Sequence, residues 1–142
     1  MTHWITRAVA ARAAWCLTAL AAQADALWLQ PHADGAQALA GTVAQPAPSL
    51  PPLQAVRALQ GDAQPLEATV QAASIRVPRP QGRVGVALPD LRLQARHASA
   101  NGVLTYYQAK LGRQDTKAHN ELELVPTTPG GNTFKLVWKG QT

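Results

Sequence analysis

The chain has 142 residues, enough for one domain with a substantial core, and its formal net charge is +5. Charged residues make up only 15% of it, and the basic residues are scattered rather than clustered around aromatic side chains, which argues against a nucleic-acid partner. The single cysteine, Cys16, excludes a disulfide bond within the chain.

Residues 1–26 have the features of a secretory signal peptide. Arg7 and Arg12 form a positive n-region, residues 13–22 form a short apolar h-region, and Ala24-Asp25-Ala26 gives a small-residue cleavage site. The apolar run is too short to span a bilayer permanently, so no stable membrane span is expected after cleavage. A cytosolic amphipathic helix is the alternative interpretation. We predict a periplasmic protein, with a signal-peptide helix at 1–26 and a folded domain at 27–142.

Short apolar runs separated by turn residues predict that this domain is all-β. A first strand at 27–30 is stopped by Pro31, and residues 36–43 return after the turn signal Asp34-Gly35. Residues 53–59 also have helix propensity, but the short strands around them favour a strand. Further strands are predicted at 66–70, 73–77, 83–88, 91–96 and 103–110. This spacing of strands and turns predicts an immunoglobulin-like antiparallel β-sandwich.

The last two apolar runs predict a β-hairpin with one buried face. Apolar and charged residues alternate in both runs, and the side chains assigned to the core are Leu122, Leu124, Phe134, Leu136 and Trp138. Pairing Leu124 with Phe134 places Glu123 opposite Lys135 on a solvated face. The final strand is expected at a sheet edge, where Lys135 and Lys139 discourage strand addition.

Three residues are candidate metal ligands. His32 and Asp34 have i,i+2 spacing, which puts both side chains on one face of a strand, and His119 lies in a polar stretch where Asp115 could approach it. Imidazole nitrogen suits nickel and cobalt ions. The simpler interpretation is that Asp34-Gly35 forms a turn and His119 lies in a surface loop. No tight multi-ligand spacing decides between the two.

The residues form no catalytic constellation. No Gly-x-Ser-x-Gly motif is present, and signal cleavage would remove the single cysteine. Glu121 and Glu123 fit a solvated strand face better than an acid–base pair. Arg76, Arg92 and Arg96 could share an outer face and bind an anion, against the default of a plain solvated surface. We therefore predict that the protein is not an enzyme.

Several segments resemble one protein family. They are Ala26-Leu-Trp-Leu-Gln-Pro31, Leu104-Thr-Tyr-Tyr-Gln-Ala-Lys-Leu-Gly-Arg113, Leu122-Glu-Leu-Val-Pro126 and Gly131-Asn-Thr-Phe-Lys-Leu-Val-Trp-Lys-Gly140. Together they resemble the bacterial periplasmic domain family known as a component of cobalt/nickel uptake systems. The resemblance implies a non-enzymatic accessory or binding module that takes a nickel or cobalt ion. It implies an inner-membrane metal transporter or a following β-domain as partner.

The chain departs from the family pattern at two places. Relatives carry a histidine just before the tryptophan of the first segment, where Asp25 stands near the cleavage site. Relatives also continue past the Trp-Lys-Gly stretch into a further β-domain, so the chain resembles their N-terminal part. The alternative function is a structural or protein-interaction β-sandwich with no small-molecule ligand.

Overall fold

The computed structural model describes residues 26–42, 44–79 and 82–142, and these form antiparallel strands. The strands are β1 (Ala26–His32), β2 (Gly35–Thr42), β3 (Gln45–Pro46), β4 (Gln54–Gln60), β5 (Gln64–Leu66), β6 (Thr69–Val70), β7 (Ile75–Pro78), β8 (Leu91–Ala98), β9 (Leu104–Leu111), β10 (Leu122–Pro126) and β11 (Phe134–Trp138). The predicted signal-peptide helix lies outside the described residues, apart from Ala26. Within the described ranges, no helix is long and apolar enough to cross a membrane.

Two sheets pack face to face and confirm the predicted antiparallel sandwich. The first has the order β1-β2-β7-β6, with β3 beside β2, and the second has the order β5-β4-β8-β9. Their inward side chains form one apolar cluster, to which Leu27 and Ile75 contribute from the first sheet and Leu91 and Leu93 from the second. On β2 the inward positions are all alanines, small enough to let the sheets approach closely.

The strand predictions hold where one face meets this core. The runs at 36–43, 53–59 and 91–96 correspond to β2, β4 and β8. The strand predicted at 83–88 is wrong, because this segment is a loop in which Val84 is fully exposed. Gly85 adopts a φ of 82°, and the Val86 N–H donates to the Arg83 carbonyl at 3.1 Å, which closes a turn.

The hairpin formed by β10 and β11 differs from the prediction in register and in orientation. Leu124 pairs with Leu136 rather than Phe134, and Glu123 pairs with Val137 rather than Lys135. Glu123 and Val137 are buried, whereas the five apolar side chains assigned to the core are about half exposed. The predicted buried face is therefore wrong. The alternation of apolar and charged residues shows that the two faces of the hairpin differ, but it does not show which face is buried. The face that carries Glu123 is buried, because Glu123 has a buried partner there.

Candidate functional site

A buried ion cluster on the outer surface of the second sheet fixes the hairpin. Arg92 on β8 is 0% exposed, and its guanidinium donates to the Glu123 carboxylate on β10 at 2.6 and 3.0 Å. It also donates to Asp115 Oδ2 at 2.8 Å and to the Lys117 carbonyl at 3.1 Å. One side chain of β8 therefore holds both the hairpin and the loop that precedes it.

Lys110 on β9 completes the cluster. Its ammonium lies 3.0 Å from Glu123 Oε1 and 3.2 Å from Asp90 Oδ2. Lys110 pairs with Arg92 in the β8–β9 register, so both cations project from the same face of the sheet. The cluster sets two cations against the carboxylates of Asp90, Asp115 and Glu123, and this pairing offsets the cost of burying the charges.

The hydrogen bonds to Glu123 keep it ionised. Burial opposes its charged form, but donation from Arg92, from the backbone N–H groups of Asn120 and His119, and from Lys110 outweighs burial and lowers its pKa to about 2. Burial likewise opposes the charged form of Arg92, yet its bonds to Glu123 and Asp115 outweigh that effect and raise its pKa. Glu123 and Arg92 therefore hold each other in their charged forms.

Asp90 positions the loop between β9 and β10. Its carboxylate accepts hydrogen bonds from the backbone N–H groups of Gln114 at 2.7 Å and Asp115 at 3.0 Å. Gly112 makes this approach possible, because a Cβ at that position would collide with the Asp90 carboxylate. Its φ of +114° is also one that other residues rarely adopt. The loop is therefore held by a side chain that lies more than twenty residues earlier.

Because the charged side of β10 faces inward, the alternate side of the hairpin faces outward. Register places Leu122 opposite Trp138 and Leu124 opposite Leu136. At the loop end of the hairpin, Phe134 lies opposite Pro126, which is itself fully buried. The exposed fractions of the five large side chains are 50% for Leu122, 58% for Leu124, 44% for Phe134, 56% for Leu136 and 52% for Trp138. We call these five residues the apolar hairpin face. Contiguous apolar surface of this kind marks interaction sites on soluble proteins.

A basic, open strand edge borders this face. Among the described strands, β11 pairs with β10 alone. The Thr127 N–H donates to the Thr133 carbonyl and the Lys139 N–H to the Glu121 carbonyl, so the hydrogen-bond alternation directs the backbone groups of Leu136 away from β10. The Lys139 ammonium lies 5.1 Å from the centre of the Trp138 ring.

The structure brings two of the three predicted metal ligands together. His32 ends β1, Asp34 lies in the turn to β2, and both line one pocket of about 450 Å³ that also contains Arg76. His119 lines a different cleft, with its Nε2 atom 3.9 Å from Asp62 Oδ1. Asp115 contacts Arg92 rather than His119. Among the described residues, no group of three or more His, Cys, Asp or Glu side chains is arranged to hold a metal ion.

The ion cluster was missed at the level of sequence, although one signal pointed to it. Arg92 stands between Leu91 and Leu93 in a strand, and Glu123 stands between two leucines in another. Opposite charges embedded in two apolar strands are a candidate buried pair.

Comparison with protein-family models, curated proteins and solved structures finds no match to this chain.

Proposed function

We propose that this protein is a non-enzymatic protein-interaction module whose docking surface is the apolar hairpin face. The observation that carries the proposal is the exposure of five large apolar side chains, 44% to 58% each, on a hairpin held by a buried ion cluster. Covering apolar surface is favourable by about 25 cal/mol per Å². A rigid face also loses little conformational freedom when a partner binds.

The charges beside the face favour a different protein over a second copy of this chain. Lys135 and Lys139 flank the exposed strand β11, and both are exposed. Lys135 alternates with Phe134 and Leu136 and so projects from the other side of β11, whereas the Lys139 ammonium lies over the Trp138 ring of the face. A second copy packed face to face would bring the two Lys139 ammonium groups close together, and like charges across an interface are unfavourable. The partner that fits is a protein with an apolar patch bordered by carboxylates. Trp138 and Phe134 are the expected anchors, because aromatic side chains dominate binding energy at interfaces.

Site-specific photo-crosslinking in the producing cells tests this proposal. We expect a photoreactive residue at position 124 or 136 to give one heterologous adduct of the same mass, because both positions lie on the apolar hairpin face. The matched control is position 84, where the native valine is fully exposed in a distant loop. The substitution Lys139→Glu should reduce the adduct, because this ammonium lies over the Trp138 ring of the face. An adduct of twice the chain mass, or equal adducts from position 84, would contradict the proposal.

A second candidate is the exported accessory role in nickel or cobalt uptake that the family resemblance implies. It is favoured by His32 and Asp34 lining one pocket, although the Arg76 guanidinium there opposes a divalent cation. Calorimetric titration with nickel chloride tests it. This role requires binding that His32→Ala abolishes and His97→Ala preserves, and a titration without heat of binding excludes it at this pocket. If the protein is exported, its periplasmic form should begin near Leu27, and intact-mass measurement checks this.

A further inference from the structure

The part of the second sheet that the hairpin leaves uncovered forms a cleft into which polar and charged side chains project. Its volume is about 270 Å³, and we call it the outer cleft. Side chains from three neighbouring strands line it, namely Arg57, Gln94, Arg96, Tyr106 and Gln108. Glu121 and His119 border it on the hairpin side. The cleft lies on the same sheet face as Arg92 and Lys110, beyond the cover that Glu123 provides.

A β-bulge places Arg57 in this cleft. Gln54 pairs with Arg96 and Arg57 pairs with Gln94, so three steps along β4 match two steps along β8. In a regular strand, residues three apart point to opposite faces. The extra residue, Ala55, returns Arg57 to the outer face and leaves Val56 packed against the core. Ala55 has a φ of 49°, a left-handed conformation that alanine rarely adopts, and such strain is concentrated at functional sites.

The two guanidinium groups of the cleft are available to a ligand. The guanidinium groups of Arg57 and Arg96 form no hydrogen bond or ion pair with any residue in the described part of the chain. They are diagonal neighbours on adjacent strands, a relation that separates backbones by roughly 7–8 Å and is within reach of long side chains. Arg92, on the same face, is instead neutralised by Glu123 and Asp115. Positive charge is therefore concentrated where the sheet is open.

We propose that the outer cleft binds a small molecule with a carboxylate or phosphate group, held jointly by Arg57 and Arg96. Guanidinium groups match both oxyanions with paired hydrogen bonds. Tyr106 pairs in register with Arg96, so its side chain lies on the same face of the sheet. Gln94 Nε2 already donates to Asn120 Oδ1 and Gln108 Oε1 accepts from the Leu122 N–H, so Gln94 Oε1 and Gln108 Nε2 are the atoms that can bind hydroxyl groups on the remainder of the ligand. Glu121 disfavours a second anionic group at the hairpin end. The cleft holds the volume of about nine water molecules, which suits a sugar acid or a sugar phosphate.

Titration with inorganic phosphate, gluconate and glucose 6-phosphate, followed by backbone amide chemical shifts, tests this site. We expect shifts in β4, β8 and β9 around the cleft. Arg57→Gln and Arg96→Gln should each weaken binding by about tenfold or more, because each removes a charge-assisted contact. Glu121→Gln should tighten binding. Arg76→Gln removes the same charge from an exposed position on the other sheet and should change affinity by less than about twofold.

A parallel arm uses vesicles of phosphatidylglycerol, because the oxyanion could belong to a lipid headgroup. Vesicle binding that Arg57→Gln and Arg96→Gln abolish, without binding of the soluble probes, supports the site and assigns its ligand to lipid. The site is overturned if no soluble probe binds below about 10 mM and neither Arg57→Gln nor Arg96→Gln changes vesicle binding. It is also overturned if Arg76→Gln weakens binding as much as Arg57→Gln does. Both arginines are exposed, so the variants are expected to fold, and thermal melting checks this.

Discussion

Arg92 determines the structure around the hairpin more than any other residue. It is fully buried, and it reaches Glu123, Asp115 and the Lys117 carbonyl from a single strand position. The desolvation cost of burying Arg92 is roughly balanced by the attraction of these partners, so the cluster adds little net stability. Removing one partner is destabilising, because it leaves the buried charge less fully compensated. The value of the cluster is therefore specificity. It selects which face of β10 turns inward.

Glu123→Gln should be strongly destabilising. The change removes the carboxylate that Arg92 and Lys110 share. Breaking a buried pair completely costs about 3–5 kcal/mol, and we expect a loss near the lower limit because Arg92 keeps Asp115 and Lys110 keeps Asp90. The matched control, Glu121→Gln, makes the same change at an exposed residue that directly precedes β10 and should cost less than about 0.5 kcal/mol. Chemical denaturation of both variants measures the difference. Equal losses would show that the Arg92–Glu123 contact does not anchor the hairpin.

The same carboxylate predicts an acid-sensitive stability. The pKa of Glu123 is lowered from 4.5 to about 2 in the folded protein, so the unfolded chain binds a proton more readily. Its contribution to the free energy of unfolding is complete above the unfolded pKa and is lost as pH falls from about 4.5 towards 2. Denaturation curves between pH 6 and pH 2, as rough limits set by these values, should show this loss. In Glu123→Gln the loss over that interval should be smaller.

The next scale is the element, where the loop from β9 to β10 decides how the hairpin is presented. The loop has little regular structure, and side chains from the second sheet hold it. Asp90 binds the N–H groups of Gln114 and Asp115, and Gln94 donates to Asn120 Oδ1 at 3.0 Å. A loop fixed in this way makes the hairpin a rigid third layer on the sandwich. Rigidity lowers the entropy cost of docking at the apolar hairpin face.

Gly112→Ala should loosen this loop. The added Cβ would meet the Asp90 carboxylate, and alanine would have to adopt a φ of +114°. We expect a loss of roughly 1–3 kcal/mol from the backbone conformation and the displaced contact. Gly102→Ala is the matched control, since its φ is also positive at +82° but a Cβ there meets nothing within 4 Å. If Gly102→Ala loses as much stability as Gly112→Ala, the loss comes from the positive φ alone and not from the contact with Asp90.

At the scale of the whole molecule, sequence patterns predict the sandwich well and the hairpin poorly. Leu91 and Leu93 alternate against one continuous core, so their inward orientation follows from local sequence. The hairpin shows an equally clear alternation, but its buried side depends on Arg92, 31 positions before Glu123. No local pattern contains that pairing. The same holds for the outer cleft, because the bulge at Ala55 that reorients Arg57 has no glycine to signal it.

The molecule is thus a two-sheet sandwich with an ion-anchored hairpin as an added layer. The sandwich buries its own apolar residues, and the hairpin buries Val125 and Val137 with the charged cluster. The five residues of the apolar hairpin face are only partly covered by the described part of the chain. The proposed interface on this face would account for their exposure. The proposed docking role depends on this orientation.

The most direct test of that orientation is the stability of Leu136→Ser compared with Val137→Ser, measured by denaturant unfolding. The two residues are adjacent on β11 but point to opposite faces, with exposed fractions of 56% and 5%. Leu136→Ser should cost less than about 1 kcal/mol, because its side chain is largely solvated. Val137→Ser should cost about 2–3 kcal/mol, because it removes buried apolar atoms and buries a hydroxyl. A larger loss for Leu136→Ser than for Val137→Ser would show that the apolar hairpin face is buried and would contradict the proposed docking surface.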